Sequence, residues 1–89
     1  MARVVFTSAL QRHIASPPGE AEGATVREVL ETVFTGNAAA RAYVLDDQSA
    51  LRRHTVIFGS GRRVKDRVHL SDAVSGDDEI YVLQSLSGG

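Results

Sequence analysis

No cysteine occurs among the 89 residues. That excludes disulfides, thiolate metal sites and a nucleophilic thiol of the chain's own. Lysine is almost missing too: Lys65 is the only one among ten basic residues, the rest being arginine. No apolar run approaches membrane-spanning length, and Met1-Ala2-Arg3-Val4-Val5-Phe6-Thr7 is too short for a secretory signal, so the expected location is the cytoplasm. The formal net charge is −1, so no global field selects nucleic acid or a membrane surface. His13, His54 and His69 are scattered, and no Asp/Glu/His spacing resembles a metal site. His54 reads as a structural residue within a strand. Gly59-Ser60-Gly61-Arg62-Arg63 lacks the length and the lysine of a phosphate-binding loop. There is no internal repeat.

What is present suits one small domain. Apolar residues make up 43%, too many for intrinsic disorder and enough for one modest core. Arg3 to Ser8 reads as a strand with Val4 and Phe6 inward. Ser16-Pro17-Pro18-Gly19 breaks the chain, and Glu20 to Glu22 reads as a short edge strand. Thr25-Val26-Arg27-Glu28 is a capping box, in which Glu28 reaches back to the amide of the cap. Val26, Val29, Leu30 and Val33 follow at helical spacing, and Gly36 supplies a stop, which predicts a helix over about 25–34. Asn37 caps a short turn from Ala38 to Arg41. Tyr43-Val44-Leu45, a turn, and Leu51 to Phe58 read as strand, turn, strand. Gly59-Ser60-Gly61 is a second tight turn and Arg62-Arg63-Val64 another short strand. Leu70 to Val74 reads as a connector of about one helical turn, and Glu79 to Leu83 as the last strand. A capped helix with one apolar face needs a sheet to lie on. The expected class is therefore α+β, a mixed sheet of about four or five strands packed on one main helix, with a domain over 1–84 and a tail over 85–89.

The last strand runs through Gln84-Ser85-Leu86-Ser87 into Gly88-Gly89. Two glycines make the thinnest and most flexible peptide handle available. The carboxylate of Gly89 is therefore the candidate reactive group, with Gly88 allowing close approach and Leu86 anchoring the tail in a partner's channel.

Three stretches together resemble the ubiquitin-like β-grasp sulfur carriers: the small subunit of molybdopterin synthase, the thiamine sulfur carrier and the carrier of an alternative cysteine pathway. They are Thr25-Val26-Arg27-Glu28-Val29-Leu30 at the helix start, Leu51 to Phe58 before the tight turn, and Leu70-Ser71-Asp72 through Gly76-Asp77-Asp78-Glu79-Ile80-Tyr81-Val82 to Leu86-Ser87-Gly88-Gly89. The stretch from Asn37 to Ala50 is longer than in thiamine carriers and favours the other two branches. The resemblance implies a carrier rather than an enzyme. A ubiquitin-activating-like adenylyltransferase, using ATP and magnesium, would adenylate the Gly89 carboxylate. A sulfur donor such as a rhodanese or cysteine desulfurase would convert the acyl adenylate to a thiocarboxylate, and an acceptor enzyme would take the sulfur for cofactor or metabolite biosynthesis. No cofactor or metal is expected on the chain itself, and a monomer is expected in isolation.

A carrier must be grasped. If Ile80 and Val82 face the helix, Tyr81 and Leu83 face solvent, and the same alternation turns Val5 and Ile57 outward. Val5, Ile57, Tyr81 and Leu83 are the expected docking patch. Arg52, Arg53, Arg62, Arg63, Lys65 and Arg67 cluster in sequence; they read as ordinary solvated charge, the alternative being a basic surface that meets an acidic partner or nucleic acid. Two other functions share parts of this pattern: a protein modifier joined through Gly89 to target lysines, and a β-grasp RNA- or protein-binding module with an inert tail.

Overall fold

The last strand in sequence is the middle strand of the sheet. The computed structural model describes residues 1–11, 18–59 and 61–84. It contains β1 (Ala2–Phe6), α1 (Ser8–Gln11), β2 (Gly19–Ala21), α2 (Val26–Val33), α3 (Ala38–Val44), β3 (Thr55–Gly59), β4 (Arg62–Arg63) and β5 (Glu79–Gln84). The strand order is β2-β1-β5-β3-β4. β1 and β5 are parallel, whereas β1–β2, β3–β5 and β3–β4 are antiparallel.

One face of this sheet carries the core. Ala2, Val4 and Phe6 of β1, Ile57 of β3, and Ile80 and Val82 of β5 are all buried. Against them packs the apolar stripe of α2: Val26, Val29 and Leu30. Phe34, just past the helix, meets Phe6 with ring centroids 5.8 Å apart. Area removed from water is the dominant favourable term here, and the alternation along β1 (buried, exposed, buried) shows one face claimed by the core.

α2 starts as its sequence predicts. Thr25 is extended at φ −133 and ψ 162, and its hydroxyl accepts from the Glu28 amide at 3.3 Å. The Glu28 carboxylate returns to Ala24 N at 3.0 Å, one residue before the cap rather than to the cap itself. The next two amides are also satisfied, Val26 N by Asp72 O at 3.0 Å and Arg27 N by Leu70 O at 2.9 Å. The helix start is thus sealed by the connector between β4 and β5. At its other end Gly36 adopts φ +81, a left-handed position that favours glycine.

Three local expectations are corrected. Tyr43-Val44-Leu45 is not a strand: Asn37 Oδ1 accepts from Ala40 N at 3.2 Å and starts a helix that continues through Val44. An alanine-rich run with a cap outweighs three β-favouring residues at its end. The run from Leu51 to Phe58 is strand only from Thr55, because Thr55 N donates to Arg52 O at 3.1 Å and closes a turn. Leu70 to Val74 has no helical turn: Ala73 instead bridges Thr25, and Leu70 holds φ 55.

Candidate functional site: an open sheet face at the root of the tail

The face of the sheet away from α2 is organised by strand register. Val5 pairs with Tyr81 across β1–β5, and Tyr81 with Phe58 across β5–β3. Phe58 in turn pairs with Arg63 of β4. One pleat further toward the end of β5, Val56 pairs with Leu83. One pleat earlier, Arg3 lies between Glu79 and Glu20. Paired residues share a face, so these rows point outward together. The result is an aromatic and aliphatic centre, with a charged row at one border and the root of the tail at the other.

Tyr81 is 39% exposed. Val5, Val56, Phe58 and Leu83 are half-buried. The Tyr81 hydroxyl donates to Glu79 Oε1 at 3.2 Å, which orients the ring along the face. An apolar centre bordered by charge is the anatomy of a protein-docking surface.

The placement of the predicted patch is therefore mixed. Val5, Tyr81 and Leu83 lie on this face. Ile57 does not: it is fully buried and pairs with Val82 in the core. Val56 and Phe58 take the outward positions of β3. Val56-Ile57-Phe58 is apolar at every position, so no local polarity reveals the phase; the pairing with β5 sets it. Leu86, Gly88 and Gly89 lie outside the described residues.

The root of the tail is firmly held. Thr7 N donates to Val82 O at 3.1 Å, and Gln84 pairs with Thr55, so β5 is flanked by partners almost to its last residue. Thr55 is itself buried, its hydroxyl donating to Arg52 O at 2.9 Å.

The sequence cluster of basic residues is dispersed. Arg52 Nε donates to Ala42 O at 2.7 Å, and the Arg67 guanidinium to Arg52 O at 2.7 Å and Thr55 O at 2.9 Å. Those two close loops. Arg62, Arg63 and Lys65 are exposed at the β4 edge. His54 precedes β3 rather than lying in it, and its ring meets Tyr43 edge-on with centroids 4.9 Å apart. Among the described residues no group of three His, Cys, Asp or Glu side chains is arranged to hold a metal. Nor is any described helix long and apolar enough to cross a membrane.

Three carboxylates brace the scaffold behind the face. The Arg41 hydrogen bond holds Glu31 below the ordinary carboxylate value, aided by the charge of Arg27. Amides of His69, Ser71 and Val68 and the Ser71 hydroxyl pull Asp66 far down, the His69 amide most. Amides of Lys65 and Asp66 lower Asp72. Each is a carboxylate whose charged form accepts several hydrogen bonds.

Comparison of the sequence with family models and with curated proteins gives no match. Solved structures do match over the whole chain. One is a chain in the Amycolatopsis orientalis BexX/CysO complex, 24% identical, with TM-score 0.79 and 100% of each chain covered. Another is CysO of Mycobacterium tuberculosis, 19% identical, with TM-score 0.77 over 97% of this chain and 100% of that one. A third is the small archaeal modifier protein 1 (SAMP1) of Haloferax volcanii, 22% identical, with TM-score 0.75 over 99% and 98%. With a central β5 parallel to β1, one main helix across the sheet and these whole-chain similarities, the chain has the ubiquitin-like β-grasp fold.

Proposed function

We propose that this chain is a ubiquitin-like sulfur carrier, and that the Gly89 carboxylate is its reactive group. The observation that carries the reading is the position of β5. This strand lies between β1 and β3 as far as Val82 and is paired with β3 as far as Gln84, and Ser85 to Gly89 follow it directly in sequence. Five residues reach at most about 17 Å when extended, enough to thread a narrow channel from a fixed root. The outward face beside that root supplies an apolar surface for the partner that receives the tail.

In this reading a partner adenylyltransferase binds ATP and magnesium, and the carrier contributes only its carboxylate. The carboxylate attacks the α-phosphorus and pyrophosphate leaves. The persulfide of a donor then attacks the acyl carbon while AMP leaves, and a second thiol cleaves the resulting acyl disulfide, forming a disulfide with the donor and releasing the thiocarboxylate. Glycine at the last two positions lets the partner close around the acyl carbon and exclude water. Leu86 anchors the tail, and Val5, Tyr81 and Leu83, joined by Val56 and Phe58, meet the partner's surface. Similarity to CysO structures supports this reading. The chain works inside the cell as the substrate of other enzymes.

The test is intact mass after incubation with an activating enzyme, ATP and a sulfur source. The expected product is heavier by the exchange of one oxygen for sulfur, and a chain lacking Gly89 shows no change. An unaltered mass beside a control carrier that the same enzyme does convert would overturn the reading.

The similarity to SAMP1 favours a second reading, conjugation of Gly89 to lysines on other proteins. It shares the activation step. Higher-mass conjugates that depend on Gly89, without thiocarboxylate, would select it.

A further inference from the structure

Three of the exposed basic residues, Arg62, Arg63 and Lys65, line a cleft at the opposite end of β3 from the root of the tail, whereas Arg53 lies at the other end. Gly59, Arg62, Arg63, Val64, Lys65 and Val74 form much of its wall, and its volume is about 370 Å³. Gly59 pairs with Ile80 at the start of β5, whereas the tail leaves from Gln84 beside Thr55. The cleft and the tail root are thus at opposite ends of the same strand pair.

Two acids, Asp72 and Asp78, also line the cleft, and both are committed to the loop. Asp72 accepts from Lys65 N at 3.0 Å and from Asp66 N at 2.9 Å, one bond to each oxygen. Asp78 accepts from Ser75 N at 2.7 Å. Arg62, Arg63 and Lys65 are exposed and none lies within ion-pair distance of a described acid, although the charge of Lys65 acts on Asp72, so the lining sets three cations against two carboxylates. Cationic side chains therefore stand over a floor that includes Val64 and Val74. Arg62 and Arg63 are neighbours on the edge strand and leave its two sides, Arg63 beside Phe58 on the outward face and Arg62 on the other, so the positive charge wraps the sheet edge instead of focusing on one point. That suits an extended segment better than a compact anion.

We propose that this cleft docks an acidic segment of a partner protein, with an apolar side chain against Val64 and Val74 and carboxylates along the Arg62-Arg63-Lys65 rim. Nucleic acid fits less well. Three cations neutralise about three phosphates, a slope of only about −2 in log K against log salt for a single strand, and the chain as a whole is slightly acidic. The site lies at the opposite end of the β3–β5 pair from the root of the tail, and its lining includes none of the residues that follow Gln84. Gly59 offers an independent handle: a Cβ there meets nothing within 4 Å, so a large side chain enters open space.

The experiment titrates isotope-labelled full-length protein with a short blocked peptide alternating Glu with Leu and Val, with the same peptide carrying Lys for Glu, and with an oligouridylate. Amide shifts are followed by NMR. Saturable shifts at Gly59, Arg62 to Lys65 and Ala73 to Ser75 are expected with the acidic peptide alone. Binding falls by about tenfold or more in R62E/R63E, where like charges now face each other. It falls likewise in Gly59→Trp, which fills the cleft without changing charge, and it persists in a chain lacking Gly88 and Gly89. The milder R62S/R63S pair serves if the charge reversal disturbs folding. The proposal is overturned by acidic-peptide shifts confined to the outward sheet face, by no saturable shift at all, by tighter binding of the oligouridylate, or by full binding in Gly59→Trp.

Discussion

Arg27 shows how one side chain can hold two loops. Its guanidinium donates to His69 O and Val68 O at 3.2 Å each and to Ser49 O, while also meeting Glu31 at 3.5 Å. Arg41 adds bonds to Glu31 at 2.8 and 2.9 Å and to the Ser49 hydroxyl at 2.9 Å. The two loops contain the only non-glycine left-handed positions among the described residues, Ser49 at φ 65 and Leu70 at φ 55. Such conformations persist where surroundings over-determine them. Arg27→Ala is expected to lower stability by about 2–3 kcal/mol in urea unfolding, because several carbonyls lose a charged donor at once. Arg27→Lys should recover little, since one ammonium cannot reproduce the planar fork. Acid acts at the same scale. Glu31, Asp66 and Asp72 all bind protons less readily folded than unfolded. Their contribution is complete above their ordinary values, 4.5 for Glu31 and 3.8 for the aspartates, and is lost as pH falls below them. A denaturation midpoint that declines through this window, with a shallower decline in Glu31→Gln, is the expected profile.

At the scale of the element, β3 is where pattern and structure part. Three consecutive apolar residues carry no alternation, so sequence offers two phases and the pairing with β5 chooses one. Ile57→Ala is therefore expected to cost about 2–5 kcal/mol as a core truncation, whereas Val56→Ala on the open face costs less than about 1. Equal losses in guanidinium unfolding would contradict the register. α2 is the opposite case. Its cap, its apolar spacing and its glycine stop all agree, and the structure follows them within a residue. Thr25→Ala should cost about 1 kcal/mol, the usual worth of a cap. α3 lies between these cases: its Asn37 cap was legible, but the length of the helix was not, because Tyr43 and Val44 taken alone favour strand.

At the scale of the whole molecule, the sheet divides the chain into a packed side and an open side. Burial of one face leaves Val5, Val56, Phe58, Tyr81 and Leu83 on the other, beside the root of the tail. F58D/Y81D is expected to keep the folded spectrum of the parent, because neither residue is part of the core. It should slow activation of Gly89 by about tenfold or more in kcat/KM, as expected when charge is placed at the centre of an interface. Loss confined to kcat would point to the tail instead of the docking face.

The capped helix, the last strand and the glycine ending were written locally: cap spacing, helical periodicity, β-favouring residues and a pair of adjacent glycines are properties of neighbours in the chain, and so is the resemblance they support. Tertiary structure decided the rest. It put the last strand in the centre of the sheet, turned Ile57 inward and Val56 and Phe58 outward, extended α3, and drew Arg52 and Arg67 into loops while leaving Arg62, Arg63 and Lys65 at an open cleft. Each of these depends on which strand lies beside which, and hydrogen-bond register between distant segments has no local sign in a run of uniformly apolar or uniformly basic residues.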